Sequence, residues 1–165
     1  MVKILFILLV IFVGFNSDVA ANQNEGNEIP VMNFDTFEPR LQQDDDKIHV
    51  INFWATWCAP CVRELPAFEK LHENYRDQGV HVLLVSLDDP RQMDSRIKPF
   101  VDRMQLQSEV LVLDDPNSNR WIPLVSEEWS GAIPATVIYS RDYHIFFERE
   151  FKYEELEEII LSIIK

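Results

Sequence analysis

The sequence predicts an α/β fold, a central mixed sheet flanked by helices. Three observations predict it. Short apolar, β-prone runs alternate with segments of helical periodicity, the chain ends in a hairpin pattern followed by an amphipathic helix, and both cysteines fall at the first strand–helix junction. With 165 residues and 47% hydrophobic content, the chain has enough material for one domain with a substantial core.

The first 21 residues read as a secretory signal peptide. Lys3 supplies the positive start, Ile4 to Phe15 is an apolar run of 12 residues, and Val19-Ala20-Ala21 offers small residues at a cleavage site. Twelve residues are short for a membrane span, so a cleaved leader is expected rather than stable insertion. No cysteine stands at that site, which excludes a lipoprotein. Residues 22–30, rich in Asn and Glu, read as a disordered lead-in, and the domain is placed at 31–165.

Met32 to Leu41 is weakly amphipathic and reads as a short strand and helix. Asp44-Asp45-Asp46 reads as a solvated turn. Ile48 to Trp54 is nearly all apolar, as a central strand buried on both faces would be. Asn52 is the polar exception, expected to be a buried, hydrogen-bonded spacer. A helix follows from Ala59, with Leu65, Phe68, Leu71 and His72 at helical spacing and a kink expected at Pro66. Gly79 ends that pattern, and Val80 to Leu87 is a second buried strand. Gln92 to Met104 reads as a helix, Val110 to Leu113 as a short strand, and the stretch holding Pro116 and Pro123 as irregular. Thr136 to Tyr139 and Ile145 to Phe151 form the hairpin, turning at Arg141-Asp142. Leu156, Ile159, Ile160, Ile163 and Ile164 mark the last helix.

Chemistry concentrates at Cys58-Ala59-Pro60-Cys61. A cysteine at a helix N-terminus meets unpaired backbone N–H groups and the positive end of the helix dipole, both of which favour thiolate. A free thiol of pKa ~8.5 is only about 3% ionised at pH 7, and an N-terminal site in Cys-x-x-Cys can bring it to about 7 or lower. A structural disulfide gains most by closing a long loop, and this one closes almost none. Structural zinc needs four ligands, whereas a third cysteine is missing and His72 and His81 have the wrong spacing. Redox chemistry at Cys58 and Cys61 is the reading that remains. Pro60 sits in the first helical turn, where its missing N–H costs nothing. The formal charge of −13 argues against nucleic acid and anionic membranes. No glycine-rich phosphate loop is present, and no cofactor or metal is expected. The four histidines cluster nowhere in sequence and receive no catalytic role.

The order of elements, with the dithiol at the first strand–helix junction, resembles the thioredoxin fold. Phe53-Trp54-Ala55-Thr56-Trp57-Cys58-Ala59-Pro60-Cys61 followed by Glu64-Leu65-Pro66 resembles the TlpA/ResA-like branch of exported thiol-disulfide oxidoreductases. So does the extra helix and strand ahead of Ile133-Pro134-Ala135-Thr136. The resemblance covers roughly residues 30–165.

That resemblance implies a disulfide between Cys58 and Cys61, with Cys58 attacking and Cys61 resolving. It implies a cis Ile133–Pro134 bond facing the dithiol, where Ile133 and Pro134 contact substrate together with Trp57 and Pro60. Cytosolic thioredoxins carry a buried Asp at the place of Asn52, which Asn cannot replace as a proton acceptor. Glu64 alone would read as an early-turn, dipole-stabilising surface residue; in this branch a Glu here adjusts the cysteine pKa values and relays the proton. Trp54 and Trp129 are expected to pack. The lack of a Pro-His pair between the cysteines leans towards a reductant. Its expected partners are disulfide-containing clients, apocytochrome c or a general pool of misoxidised proteins, and a membrane thiol-electron donor, with the periplasm as the compartment. A peroxiredoxin-type peroxidase is disfavoured because Ala55, not Thr, stands three before Cys58. A Cu(I) or haem-pathway chaperone and a non-catalytic binding module are the alternatives from other classes.

Overall fold

The computed structural model describes residues 28–164. The expected leader and most of the lead-in lie outside the described residues. The packed chain begins earlier than residue 31: Ile29 is buried, and the Pro30 carbonyl accepts from the Val112 N–H at 2.9 Å.

Among the described residues, eleven strands and α-helices follow in order: β1 (Val31–Met32), α1 (Phe34–Phe37), β2 (Ile48–Trp54), α2 (Ala59–Tyr75), β3 (Val80–Ser86), α3 (Lys98–Met104), β4 (Glu109–Leu113), α4 (Ser118–Val125), β5 (Ala135–Ser140), β6 (Tyr143–Phe147) and α5 (Tyr153–Ile163). The sheet order is β1-β4-β3-β2-β5-β6. The first four strands in that order run parallel, β5 lies antiparallel to β2, and β6 antiparallel to β5. Every residue of β2 is buried, as its apolar sequence requires of a strand with neighbours on both sides and layers on both faces.

Side-chain alternation divides the core in two. Val50, Trp54, Val82, Leu84, Val112 and Ile138 face α2, α3 and α5, where Leu65, Phe68, Phe100, Leu156 and Ile160 cover them. Ile51, Phe53, Leu83, Val85, Leu111 and Val137 face the other way, onto Phe34, Phe37, Trp121, Val125 and Trp129. Trp129 is thus a packing residue; its ring lies 4.7 Å from that of Phe53 and its Nε1 donates to the Ala132 carbonyl at 2.7 Å.

Two expectations require correction. The stretch read as irregular holds α4, whose Trp121 and Val125, four apart, bury one face against the sheet. Pro123 lies inside this eight-residue helix, where it removes one backbone bond without ending it. The second hairpin strand ends at Phe147, not Phe151, because the Phe151 N–H donates to a side chain of α2 rather than to β5. Helix α2 runs from Ala59 to Tyr75 with Pro66 inside it. Gly79, at φ +83°, takes the left-handed conformation that turns the chain into β3.

Candidate active site

Where β2 ends, the chain leaves the sheet and enters α2, and Cys58 is the residue at the turn. It caps the helix in an extended conformation (φ −87°, ψ 99°), and its Sγ accepts from the Cys61 N–H at 3.3 Å. A thiolate at Cys58 inherits that donor and the helix dipole. Cys58 and Cys61 are joined as a disulfide with Cα atoms 5.3 Å apart. Exposure is unequal: 6% for Cys58 and 0% for Cys61. Cys58 is therefore the outer sulfur.

Antiparallel pairing of β5 with β2 sets Ala135 opposite Phe53, which carries the preceding residues to the same edge of the sheet as the dithiol. The Ile133–Pro134 bond is cis, and the Ile133 carbonyl oxygen lies 3.6 Å from Cys58 Sγ. Trp57 is exposed, Pro60 and Ile133 are half-buried, and Pro134 is buried. Trp57, Cys58, Pro60 and Cys61 thus lie within one turn, with Ile133 brought against the outer sulfur.

Behind the dithiol lies a polar group within the core. Glu64, one turn after Cys61 on α2, is 1% exposed, not the surface residue its early-turn position alone would suggest. Its Oε1 accepts from Asn52 Nδ2 at 2.8 Å, and its Oε2 from the Phe151 backbone N–H at 2.8 Å. Asn52 Nδ2 also donates to Thr136 Oγ1 at 3.1 Å. Burial pushes the Glu64 carboxyl up to about 7, against the two hydrogen bonds that favour its charged form. Asn52 Oδ1 is buried without a partner. A protonated Glu64 would need an acceptor for its O–H, which the Asn52 amide would offer only if turned to present Oδ1 in place of Nδ2.

Sequence reasoning missed the residues that hold the loop ahead of Cys58. Asp88, 2% exposed, accepts from the Thr56 N–H at 2.8 Å and from Thr56 Oγ1 at 2.6 Å, while Ser86 Oγ donates to it at 2.8 Å. The available signal was positional: Ser86 and Asp88 close β3, and β3 pairs with β2 up to Trp54. Thr136 and the Phe151 N–H left no such signal. Elsewhere, His49 and His81 meet in space at the opposite end of the sheet from the dithiol, with rings 5.5 Å apart. Asp45 bonds His49, and Asp44 and Asp46 pair with Arg141, so the acidic run closes a turn.

A model of the AhpC/TSA family matches residues 22–147. The chain belongs to the AhpC/TSA family. Within it, the chain is 32% identical over 117 residues to a thioredoxin-like protein, YneN, of Bacillus subtilis, covering 66% of this chain and 68% of that one. It is 36% identical over 72 residues to the thiol-disulfide oxidoreductase ResA of Halalkalibacterium halodurans, covering 44% of this chain and 39% of the relative's length. A thioredoxin-related protein from Neisseria meningitidis serogroup B shares the fold at a TM-score of 0.62 and 22% identity, over 73% of this chain and 88% of that one. A secreted thiol-disulfide isomerase from Corynebacterium glutamicum does so at 0.61 and 21%, over 73% and 72%. This AhpC/TSA member has the thioredoxin fold with a vicinal cysteine pair, and it spans 39% and 55% of the lengths of two ResA thiol-disulfide oxidoreductases that it resembles. No helix among the described residues is long and apolar enough to cross a membrane.

Proposed function

We propose that this protein is an exported reductase of protein disulfides, acting through the Cys58–Cys61 dithiol with Glu64 as its proton partner. The observation that carries this reading is the arrangement of a buried carboxyl of pKa about 7 one helical turn behind a fully buried cysteine. The Cys58 thiolate attacks one sulfur of a client disulfide, and the other client sulfur leaves as a thiolate that takes a proton from water. Cys61 then attacks Cys58 Sγ, breaking the mixed disulfide and releasing the second client sulfur. Two electrons pass from the dithiol to the client, which gains two thiols.

The Cys61 proton cannot pass directly to water from a buried site. Glu64, with a pKa of about 7, is available as carboxylate in about half of the molecules at neutral pH and takes it. Asn52 has no titrating group, which leaves Glu64 as the acid–base residue of this part of the core. Trp57, Pro60, Ile133 and Pro134 would bear against the client chain around the outer sulfur.

Export rests on the leader pattern of residues 1–21. In an oxidising compartment a dithiol needs a donor to return it to the reduced state, so a membrane thiol-electron shuttle is the expected partner and the periplasm the expected location. Clients would be apocytochrome c or misoxidised proteins more broadly.

Reduction of insulin by the pre-reduced protein tests the reading. One disulfide cleaved per protein is expected, abolished by Cys58→Ser, with the mixed disulfide accumulating in Cys61→Ser. Equal activity of Cys58→Ser and the native chain would overturn it.

A further inference from the structure

Beside the dithiol, a hollow of about 290 Å³ opens between the Thr56-Trp57 turn and the start of α3, lined also by Arg96, Pro99, Phe100 and Arg103. Its aromatic wall is Trp57, 63% exposed and the residue immediately before Cys58. Its charge is the unusual part. The chain carries nine arginines and a formal charge of −13, so carboxylates are in excess. Seven arginines (40, 63, 76, 91, 120, 141 and 149) pair with one. Among the described residues Arg96 and Arg103 alone do not, and both stand in this hollow. The nearby Asp94 is engaged by Lys98 at 2.8 Å, and the Arg103 guanidinium lies 5.1 Å from the centre of the Phe100 ring.

We propose that this hollow is a client subsite that takes an Asp or Glu side chain close to the reacting cysteine of a disulfide-bearing polypeptide. Two guanidinium groups offer the paired donors a carboxylate accepts, and the Trp57 face covers the neighbouring backbone. The overall negative charge does not oppose this, because repulsion from distant carboxylates is screened beyond about 8 Å at physiological ionic strength. What is selected is a local acidic residue, not an acidic protein. The inference rests on the disulfide-exchange reading and adds a preference to it.

Peptides with a single cysteine, activated as the neutral pyridyl disulfide, provide the test. The Cys58 thiolate of the Cys61→Ser protein attacks the peptide sulfur, the peptide–pyridyl S–S bond breaks, and pyridine-2-thione is released and read by absorbance. Two series carry Glu or its isostere Gln, either two residues before or two after the cysteine. In one series the Glu peptide is expected to react about threefold faster than the Gln peptide, the effect of one or two exposed ion pairs. The ratio should fall to about 1 in R96Q/R103Q and below 1 in R96E/R103E. A ratio of 1 or less with both arginines present, in both series, overturns the proposal, as does a preference that survives R96Q/R103Q. Arginine-dependent binding to vesicles of anionic phospholipid without any peptide preference would overturn it in favour of a membrane surface. Because any thiolate attacks a pyridyl disulfide, these rates report on the hollow even if insulin is not reduced, in which case the reductase reading alone fails.

Discussion

Asn52 donates to Glu64 across 2.8 Å inside the core, joining the central strand to the helix that carries both cysteines. It is a carboxyl–amide pair in a place where water does not reach, and that makes the protonation state of Glu64 a property of the fold. Burial raises its pKa to about 7 while Asn52 and the Phe151 N–H pull it down, with burial prevailing.

Stability should therefore fall as pH rises through the range between the unfolded and folded pKa values of Glu64. Below about 4.5 the carboxyl is protonated in both states. From there to about 7 the unfolded chain has lost the proton and the folded chain keeps it, so the native state binds more protons and rising pH favours unfolding. Above about 7 the loss is complete, on the order of 3 kcal/mol at most. Glu64→Gln removes this slope. Urea unfolding of both proteins from pH 4.5 to 8 should show the variant gaining relative stability with pH; parallel profiles would mean that Glu64 does not titrate in this window. The same variant should slow insulin reduction by about 10-fold or more, as loss of a general acid–base group does.

Asp88→Asn should release the turn that presents Trp57 and Cys58. An amide has one acceptor oxygen where the carboxylate has two, so at least one of the Thr56 and Ser86 donors loses its partner. A loss of about 1–3 kcal/mol in denaturant unfolding is expected. Trp57 fluorescence anisotropy should drop as well. Native stability with unchanged anisotropy would show that the turn holds itself.

Cys58 should be alkylated before Cys61. It is the outer sulfur and the helix cap, whereas Cys61 is wholly buried. Iodoacetamide labelling of the reduced protein against pH should give Cys58 an apparent pKa below ~8.5. Faster labelling of Cys61 would invert the two roles.

Much of this site was legible because its signals are local. Cys58, Pro60 and Cys61 lie in one turn, and β2 announces itself by five apolar residues in seven. Ile133-Pro134 was placed by its motif. What sequence could not give was depth. Glu64 has the same local context whether it faces water or core, and only the return of Phe151, 87 residues away, and Asn52 on the central strand decide it. The same long-range contact explains why the hairpin was read four residues too long: Phe146, Phe147 and Phe151 look alike in composition, but the N–H of Phe151 goes to Glu64. Helix α4 was missed because Pro116 and Pro123 suggest a loop, while the burial of Trp121 that sustains the helix depends on Phe34, stacked 5.8 Å away. Arg96 and Arg103 become conspicuous only when every other arginine is seen to be paired.

Whether the dithiol gives electrons to clients is set by its midpoint potential, which a redox titration in glutathione buffers measures. Ala59-Pro60 between the cysteines, without a histidine, leads us to expect a midpoint nearer that of thioredoxin, about −270 mV, than that of the strong oxidant DsbA, about −120 mV. A midpoint above roughly −180 mV, the value of disulfide isomerase, would contradict a reductase and make the protein an oxidant or isomerase.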